Sequence, residues 1–267
     1  MIDQKEAHDV REVDLARECV YRFLSMVATD PYSPGWERAR EPQTHELAVT
    51  AMDVLRARVE QNPATLAIGE LGAEALDLWP VVSELKRSVL DLQADYDRVF
   101  GLIIPKECPP YETEYHPPAQ TFLRSQQLAD VAGFYRAFGV EPSGFTHERP
   151  DHLALELEFV ALLLTKKRLV LNGSDPKPSA RDQADVCGLA LQDFVRDHLA
   201  WWVPAFAAGL RRKADHGLYH ALARVLAAFI ASERQQLGID PPFKAAEPAL
   251  VEQPEEQTGC AGCALLV

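Results

Sequence analysis

The sequence predicts an all-α fold: a single globular multi-helix domain followed by a disordered acidic C-terminal tail. Three observations predict it. Apolar residues recur at helical spacing through most of the 267 residues. No segment alternates apolar and polar residues in the manner of a half-buried strand. After Asp240-Pro241-Pro242 the composition changes, and residues 245–257 are mostly Ala, Glu, Pro and Gln with no basic residue. Such a segment has too little apolar surface to fold alone. The expected boundaries are therefore a helical domain over 1–240 and a flexible tail over 241–267.

The elements follow in order. Val13, Ala16, Cys19, Val20, Phe23, Leu24 and Val27 form a helical stripe that Asp30-Pro31 ends. A second helix fits 43–60 and stops before Asn62-Pro63, and a short one fits 72–78. Pro80 can open the next, with Val81, Leu85, Val89, Leu92, Tyr96 and Val99 on one face. Residues 101–119 then break the pattern, because Pro105, Pro109, Pro110, Pro117 and Pro118 exclude both helix and sheet interior. A structureless connection of that length is usually functional or disordered. Helical spacing resumes near Gln120, carries Val131, Phe134, Tyr135 and Phe138, and ends at Gly139. A long helix is expected from Pro150 to about Leu171, stopped by Asn172-Gly173. It is apolar around most of its circumference and should be central. Three further helices fit 179–199, 201–214 and 216–237, the last capped by Gly238.

Composition narrows the function. The net charge is −13 and no large Lys/Arg cluster stands against it, so nucleic acid is not an expected ligand. Acidity instead suits a basic partner, or merely keeps the protein in solution. The N-terminal residues lack the basic and apolar regions of a secretory signal, and no apolar run is long enough to span a bilayer. A cytoplasmic protein without a membrane span is expected. Cys19, Cys108 and Cys187 are widely spaced and imply no disulfide framework. Cys260-x-x-Cys263 offers two ligands, half a structural zinc site, and is a weak metal or dithiol candidate.

Catalytic motifs are absent: neither His45-Glu46 nor His147-Glu148 completes a zinc-protease pattern, and there is no phosphate loop or nucleophile elbow. Three other features remain. Tyr96-x-x-Val99-Phe100 closes one predicted helix, the segment from Pro105 to Pro118 includes Pro110-Tyr111-Glu112, and Glu148-x-x-Asp151-His152 opens the central helix. Each has a plain structural reading. Tyr96 and Phe100 continue a core stripe, the prolines make a rigid connector, and Asp151 favours a helix start through the dipole. A histidine such as His152 in the first turn of a buried helix is most simply a packed residue with one hydrogen bond. Both Asp151 and His152, as first-turn residues, are expected near the surface.

In order and spacing, these three elements resemble the TorD/DmsD/NarJ family of cytoplasmic chaperones for molybdenum oxidoreductases of the dimethyl-sulfoxide-reductase type. Val99 stands where that family has leucine. The resemblance covers roughly residues 12–237 and is clearest over 92–165. It implies a non-enzymatic, cofactor-free maturation chaperone. The implied partner is the apo catalytic subunit of a molybdenum oxidoreductase, bound through its twin-arginine leader where it has one. It also implies that Tyr96, Phe100, Pro105, Pro110, Tyr111, Glu112, Glu148, Asp151 and His152 contribute to a client groove. A monomer or a domain-swapped dimer is expected, the long hinges permitting a swap. Two alternatives stay open: a helical metal-handling enzyme around His152 and Glu156, one turn apart on one face, and a regulatory interaction module.

Overall fold

The computed structural model describes residues 4–61, 65–101, 107–116, 121–142, 148–171, 178–242, 246 and 248. Among these, nine α-helices follow in chain order: α1 (Gln4–Ala28), α2 (Pro42–Gln61), α3 (Trp79–Glu84), α4 (Val89–Val99), α5 (Thr121–Ala137), α6 (Leu153–Leu171), α7 (Pro178–Phe194), α8 (Val203–Lys213) and α9 (Gly217–Gln236). No strand occurs among the described residues, where the β contact recorded is an isolated antiparallel bridge between Tyr111 and His152. The all-α expectation holds, as one domain around one core.

Three helices carry that core. The apolar stripe of α1, from Val13 to Val27, is buried and packs against α6 on one side and α2 on the other. The nearly all-round apolar α6 is central, as its sequence predicts, with Leu157, Val160, Leu163 and Leu164 fully buried between α1 and α7. The second spine is α9, where Leu226, Phe229 and Ile230 are fully buried and α8, α3 and α4 are neighbours. The two spines are joined by a buried ion pair. Arg17 Nε and Nη2 donate to Glu233 at 2.8 and 2.7 Å.

Several boundaries differ from the sequence expectation. The single helix expected from Pro80 to Val99 is two. Ser88 takes the N-cap of α4, its hydroxyl accepting from the Asp91 amide at 3.1 Å. Arg40 draws the Leu85 and Arg87 carbonyls out of the helical ladder. The predicted helix at 72–78 is one 3₁₀ turn, Ala73–Ala75. The expected structureless connection contains a 3₁₀ helix, Glu112–Tyr115. The helix expected to run to 199 changes character, becoming a π-helical turn over Val195–Leu199. Gly139 and Gly238 do end their helices, with φ of 73° and 65°. Asn172 and Gly173 lie outside the described residues, as do Pro105, Pro117 and Pro118. Of the predicted tail, Ala246 is described and packs partly buried against the core.

Candidate functional site

The proline-bearing connection is stitched to the start of α6. The Leu153 amide donates to the Pro110 carbonyl at 2.9 Å, and the Glu112 amide donates to the Asp151 carbonyl at 3.0 Å. Between them lies the Tyr111–His152 bridge, with the two rings 5.1 Å apart. These backbone bonds shift the helix start. Pro150 is not in the first turn of α6; it lies in the preceding turn, and its carbonyl accepts the Tyr135 hydroxyl at 2.8 Å.

Asp151 and His152 are buried, which corrects the expectation that they lie near the surface. The Asp151 carboxylate faces the opposite segment. Its Oδ2 accepts from the Thr113 amide at 3.0 Å, the Thr113 hydroxyl at 2.8 Å and Arg149 Nη2 at 2.7 Å. Asp151 thus satisfies an N–H that opens the Glu112–Tyr115 turn, in the manner of a cap supplied from another segment. Arg149 also donates to Glu114 at 2.9 Å and lies over the Tyr111 ring at 4.6 Å. His152 is the packed residue with one bond: its Nδ1 accepts the Ala154 amide at 3.2 Å. Burial holds its pKa below the ordinary histidine value, so the ring is neutral at pH 7.

Behind this joint lies a buried carboxylate hub. Glu112 is wholly buried. Its Oε1 accepts from Trp201 Nε1 at 2.7 Å and Gln127 Nε2 at 2.8 Å, and its Oε2 sits 3.1 Å from His198 Nδ1. The π-helical turn aims His198 inward. Burial raises the Glu112 pKa, and the contacts to His198, Gln127 and Trp201 oppose that rise. Glu156, fully buried on α6, accepts from Trp202 Nε1 at 3.2 Å. Burial, then the nearby Glu112 and Asp151 carboxylates, push its pKa well above the ordinary range, which favours the neutral acid.

On the open side of the joint the chemistry is acidic and aromatic. Tyr96 and Phe100 pack together with centroids 5.0 Å apart, and both rings meet Tyr219 of α9, at 6.1 and 5.2 Å. Tyr111 donates its hydroxyl to Glu148 at 2.7 Å. Tyr32, in the turn after α1, donates its amide to Asp30 at 2.7 Å and its hydroxyl to Asp97 at 2.9 Å. The Tyr96 phenol is held well above its ordinary pKa by burial and then by the fields of Asp30, Glu148 and Asp97. The end of α4, the connection bearing Tyr111 and the start of α6 therefore converge.

Tyr96, Tyr111 and Glu148 are half-buried and border the open side; Phe100, Pro110, Glu112, Asp151 and His152 are buried beneath it. Pro105, Cys260 and Cys263 lie outside the described residues. His152 and Glu156 do not share a ligand position, since one is committed to the Ala154 amide and the other to Trp202. Among the described residues no group of three or more His, Cys, Asp or Glu side chains is placed to hold a metal ion. None of their helices is long and apolar enough to cross a membrane. Sequence reasoning missed Asp30, Tyr32, Asp97, His198 and Tyr219. The Tyr32 turn is far in sequence from α4, and a signal for His198 was its place three residues before Trp201-Trp202.

The sequence pattern of the nitrate reductase delta subunit family matches residues 62–208, more than half of the chain and the whole of this joint. Among curated proteins, the chaperone protein TorD of Vibrio cholerae is 30% identical over 148 residues, 55% of this chain and 63% of that protein. The selenate reductase assembly chaperone protein of Thauera selenatis is 34% identical over 116 residues, 43% of this chain and 55% of its own length. The chlorate reductase assembly chaperone protein of Ideonella dechloratans is 33% identical over 121 residues, 45% and 57% respectively. The chain thus spans between half and two thirds of the length of these relatives.

Proposed function

We infer function from the premise that this chain belongs to the nitrate reductase delta subunit family. It acts as a redox-enzyme maturation chaperone and not as an enzyme. It binds the apo catalytic subunit of a molybdenum oxidoreductase, through a twin-arginine leader where the client has one. By holding the client it assists cofactor insertion before assembly or export, in the cytoplasm. The helical body of residues 1–240 is the working unit, as a monomer or a swapped dimer.

One observation carries this reading: the end of α4, the connection bearing Tyr111 and the start of α6 meet at one place, inside the family-matched stretch. There Tyr96, Tyr111 and Glu148 offer aromatic and anionic groups to a basic, apolar client segment. Phe100, Pro110, Glu112, Asp151 and His152 hold that face from beneath. The net charge of −13 favours encounter with a basic segment. The names of the relatives, each a chaperone, agree. Affinity purification of the tagged full chain from its native cells is the test. The expected co-eluting protein is a molybdoenzyme catalytic subunit depleted in molybdenum. Absence of such a subunit, or its recovery only in the fully loaded form, contradicts the reading.

A further inference from the structure

The π-helical turn over Val195–Leu199 carries a side chain that the proposed function does not use. His198 is fully buried. Its Nδ1 lies 3.1 Å from Glu112 Oε2, and its Nε2 lies 3.5 Å from Asp130 Oδ2 on α5. A carboxylate thus faces each ring nitrogen. A neutral imidazole has one N–H and one acceptor nitrogen. With the proton on Nδ1, toward Glu112, the buried Nε2 is an acceptor facing an acceptor, and it has no hydrogen-bond partner. The imidazolium, with two N–H donors, satisfies both carboxylates at once. Among the described residues no Lys or Arg pairs with Glu112 or Asp130. The nearby cations are held elsewhere, Arg196 by Asp193 and Asp197, and Arg124 of α5 by Glu114. On α6, Glu156 stands beyond Glu112 as a carboxyl that favours its neutral form. From α7 the ring meets Phe194, at 4.7 Å. The α9 helix also packs on this turn, and its buried charges, Glu233 and Arg234, are taken by Arg17 and Glu70.

The helix that carries Asp130 is a cover. From α5, Phe134, Tyr135 and Phe138 pack on Phe159 of α6, and Phe134 also packs on Phe194 of α7, with ring centroids 4.9 to 6.4 Å apart. Phe159 and Phe194 are buried beneath it. The polar fasteners of α5 include Arg124 to the His116 carbonyl at 3.1 Å, Gln127 to Glu112 at 2.8 Å and Tyr135 to the Pro150 carbonyl at 2.8 Å. The Asp130–His198 contact differs from these in resting on an imidazole. That is the side chain whose charge ordinarily changes between about pH 5 and 8.

We propose that His198, bracketed by Glu112 and Asp130, is a proton-operated clamp that fastens α5 over the Phe159–Phe194 surface. In the protonated state Nδ1–H donates to Glu112 and Nε2–H donates to Asp130, and α5 is held down. The Nε2 proton leaves to solvent past the Asp130 side chain, which is 60% exposed. The Asp130 carboxylate then faces a lone pair, its part of the fastening is gone, and α5 opens more readily. The fastening is therefore present at mildly acidic pH and lost as pH rises. The clamp rests on this geometry alone and not on the chaperone reading.

The test is amide hydrogen exchange of the full chain, read by mass spectrometry at about pH 6 and about pH 8, on either side of the ordinary histidine value. Labelling times are scaled for the intrinsic pH dependence of exchange. Protection of α5 is expected to be about tenfold higher at the lower pH, the worth of one charge-assisted hydrogen bond. Protection of the buried spine α9 is expected to stay the same. Asp130→Asn, an exposed substitution of equal size, should fold as the native chain does and lose the difference. Nuclear magnetic resonance of the His198 ring nitrogens, assigned by their loss in His198→Gln, gives a second reading on the native chain. Both nitrogens should carry protons at the lower pH and one at the higher. Equal protection of α5 at the two pH values overturns the clamp, as does a change shared equally by α9. So does an undiminished difference in Asp130→Asn, or a neutral ring at the lower pH. None of these outcomes bears on co-purification of a molybdoenzyme subunit, so the clamp and the chaperone reading fail separately.

Discussion

Glu112 and Glu148 flank the same joint, and each accepts a hydrogen bond from an aromatic side chain. Glu112 takes Trp201 at 2.7 Å and is wholly buried, with Gln127 and His198 on its remaining lone pairs. Glu148 takes Tyr111 at 2.7 Å and is half-buried, bordering a surface with Tyr96 and Asp30. The two carboxylates are chemically alike and differ in how many protein donors surround them. A carboxylate ringed by donors is committed to the fold; one with a single neutral donor is free to meet a ligand. By burial the motif residues separate into a scaffold, comprising Glu112, Asp151, His152 and Glu156, and an open face, comprising Tyr96, Tyr111 and Glu148.

The largest effect that sharpens this contrast is expected for Glu112→Ala. The substitution strips an acceptor from the buried His198 and the part-buried Trp201 and Gln127 at once, a buried group left unpaired costing about 1–3 kcal/mol. The expected loss is about 3–5 kcal/mol, a fall in melting temperature on the order of 10 °C. Differential scanning calorimetry reads it. A fall of one or two degrees instead would place Glu112 outside the scaffold.

Glu156 gives a smaller effect with a sign set by pH. Its folded pKa is raised, so its contribution to stability is fully present below the unfolded carboxylate value. That contribution declines as pH rises above that value, because the unfolded chain ionises before the folded chain does. Each unit of displacement corresponds to about 1.4 kcal/mol. Glu156→Gln, a neutral isostere, is expected to melt higher than the native chain at pH 8 and to match it near pH 4. Melting curves across that range check it. A variant less stable at pH 8 would mean that the native carboxyl is ionised and paired.

The smallest effect is on the open face. Tyr32→Phe removes an exposed phenol that steadies Asp97. No measurable change in melting temperature is expected, since surface substitutions of this kind are nearly neutral. Affinity for a synthetic peptide with two adjacent arginines before a leucine-rich run should fall by about threefold, roughly one weak hydrogen bond. A loss of stability with unchanged affinity would move Tyr32 into the scaffold.

Much of the fold was legible because helical periodicity is local. The stripes of α1 and α6, the stops at Gly139 and Gly238, and the central place of α6 follow from residues within one helix. Features made by distant partners were not legible. The break between α3 and α4 depends on Arg40 reaching carbonyls more than forty residues away. The late start of α6 depends on backbone bonds to residues 110–112. For the site, the sequence located the joint and could not sort its residues. Burial of Asp151 is imposed by Thr113 and Arg149, and the open face is completed by Asp30 and Tyr32 from the turn after α1. No spacing rule connects those positions.

The division into scaffold and open face is tested most directly by comparing two aspartates in thermal unfolding. Asp151→Ala removes the acceptor of the Thr113 amide, the Thr113 hydroxyl and Arg149, all in or beside a buried joint. Asp97→Ala removes an exposed carboxylate bonded to one phenol. The predicted result is a loss of about 2–4 kcal/mol for Asp151→Ala, roughly 5–10 °C in melting temperature, against a change within about 1 °C for Asp97→Ala. Equal small shifts for the two variants, or a larger fall for Asp97→Ala, would contradict the account.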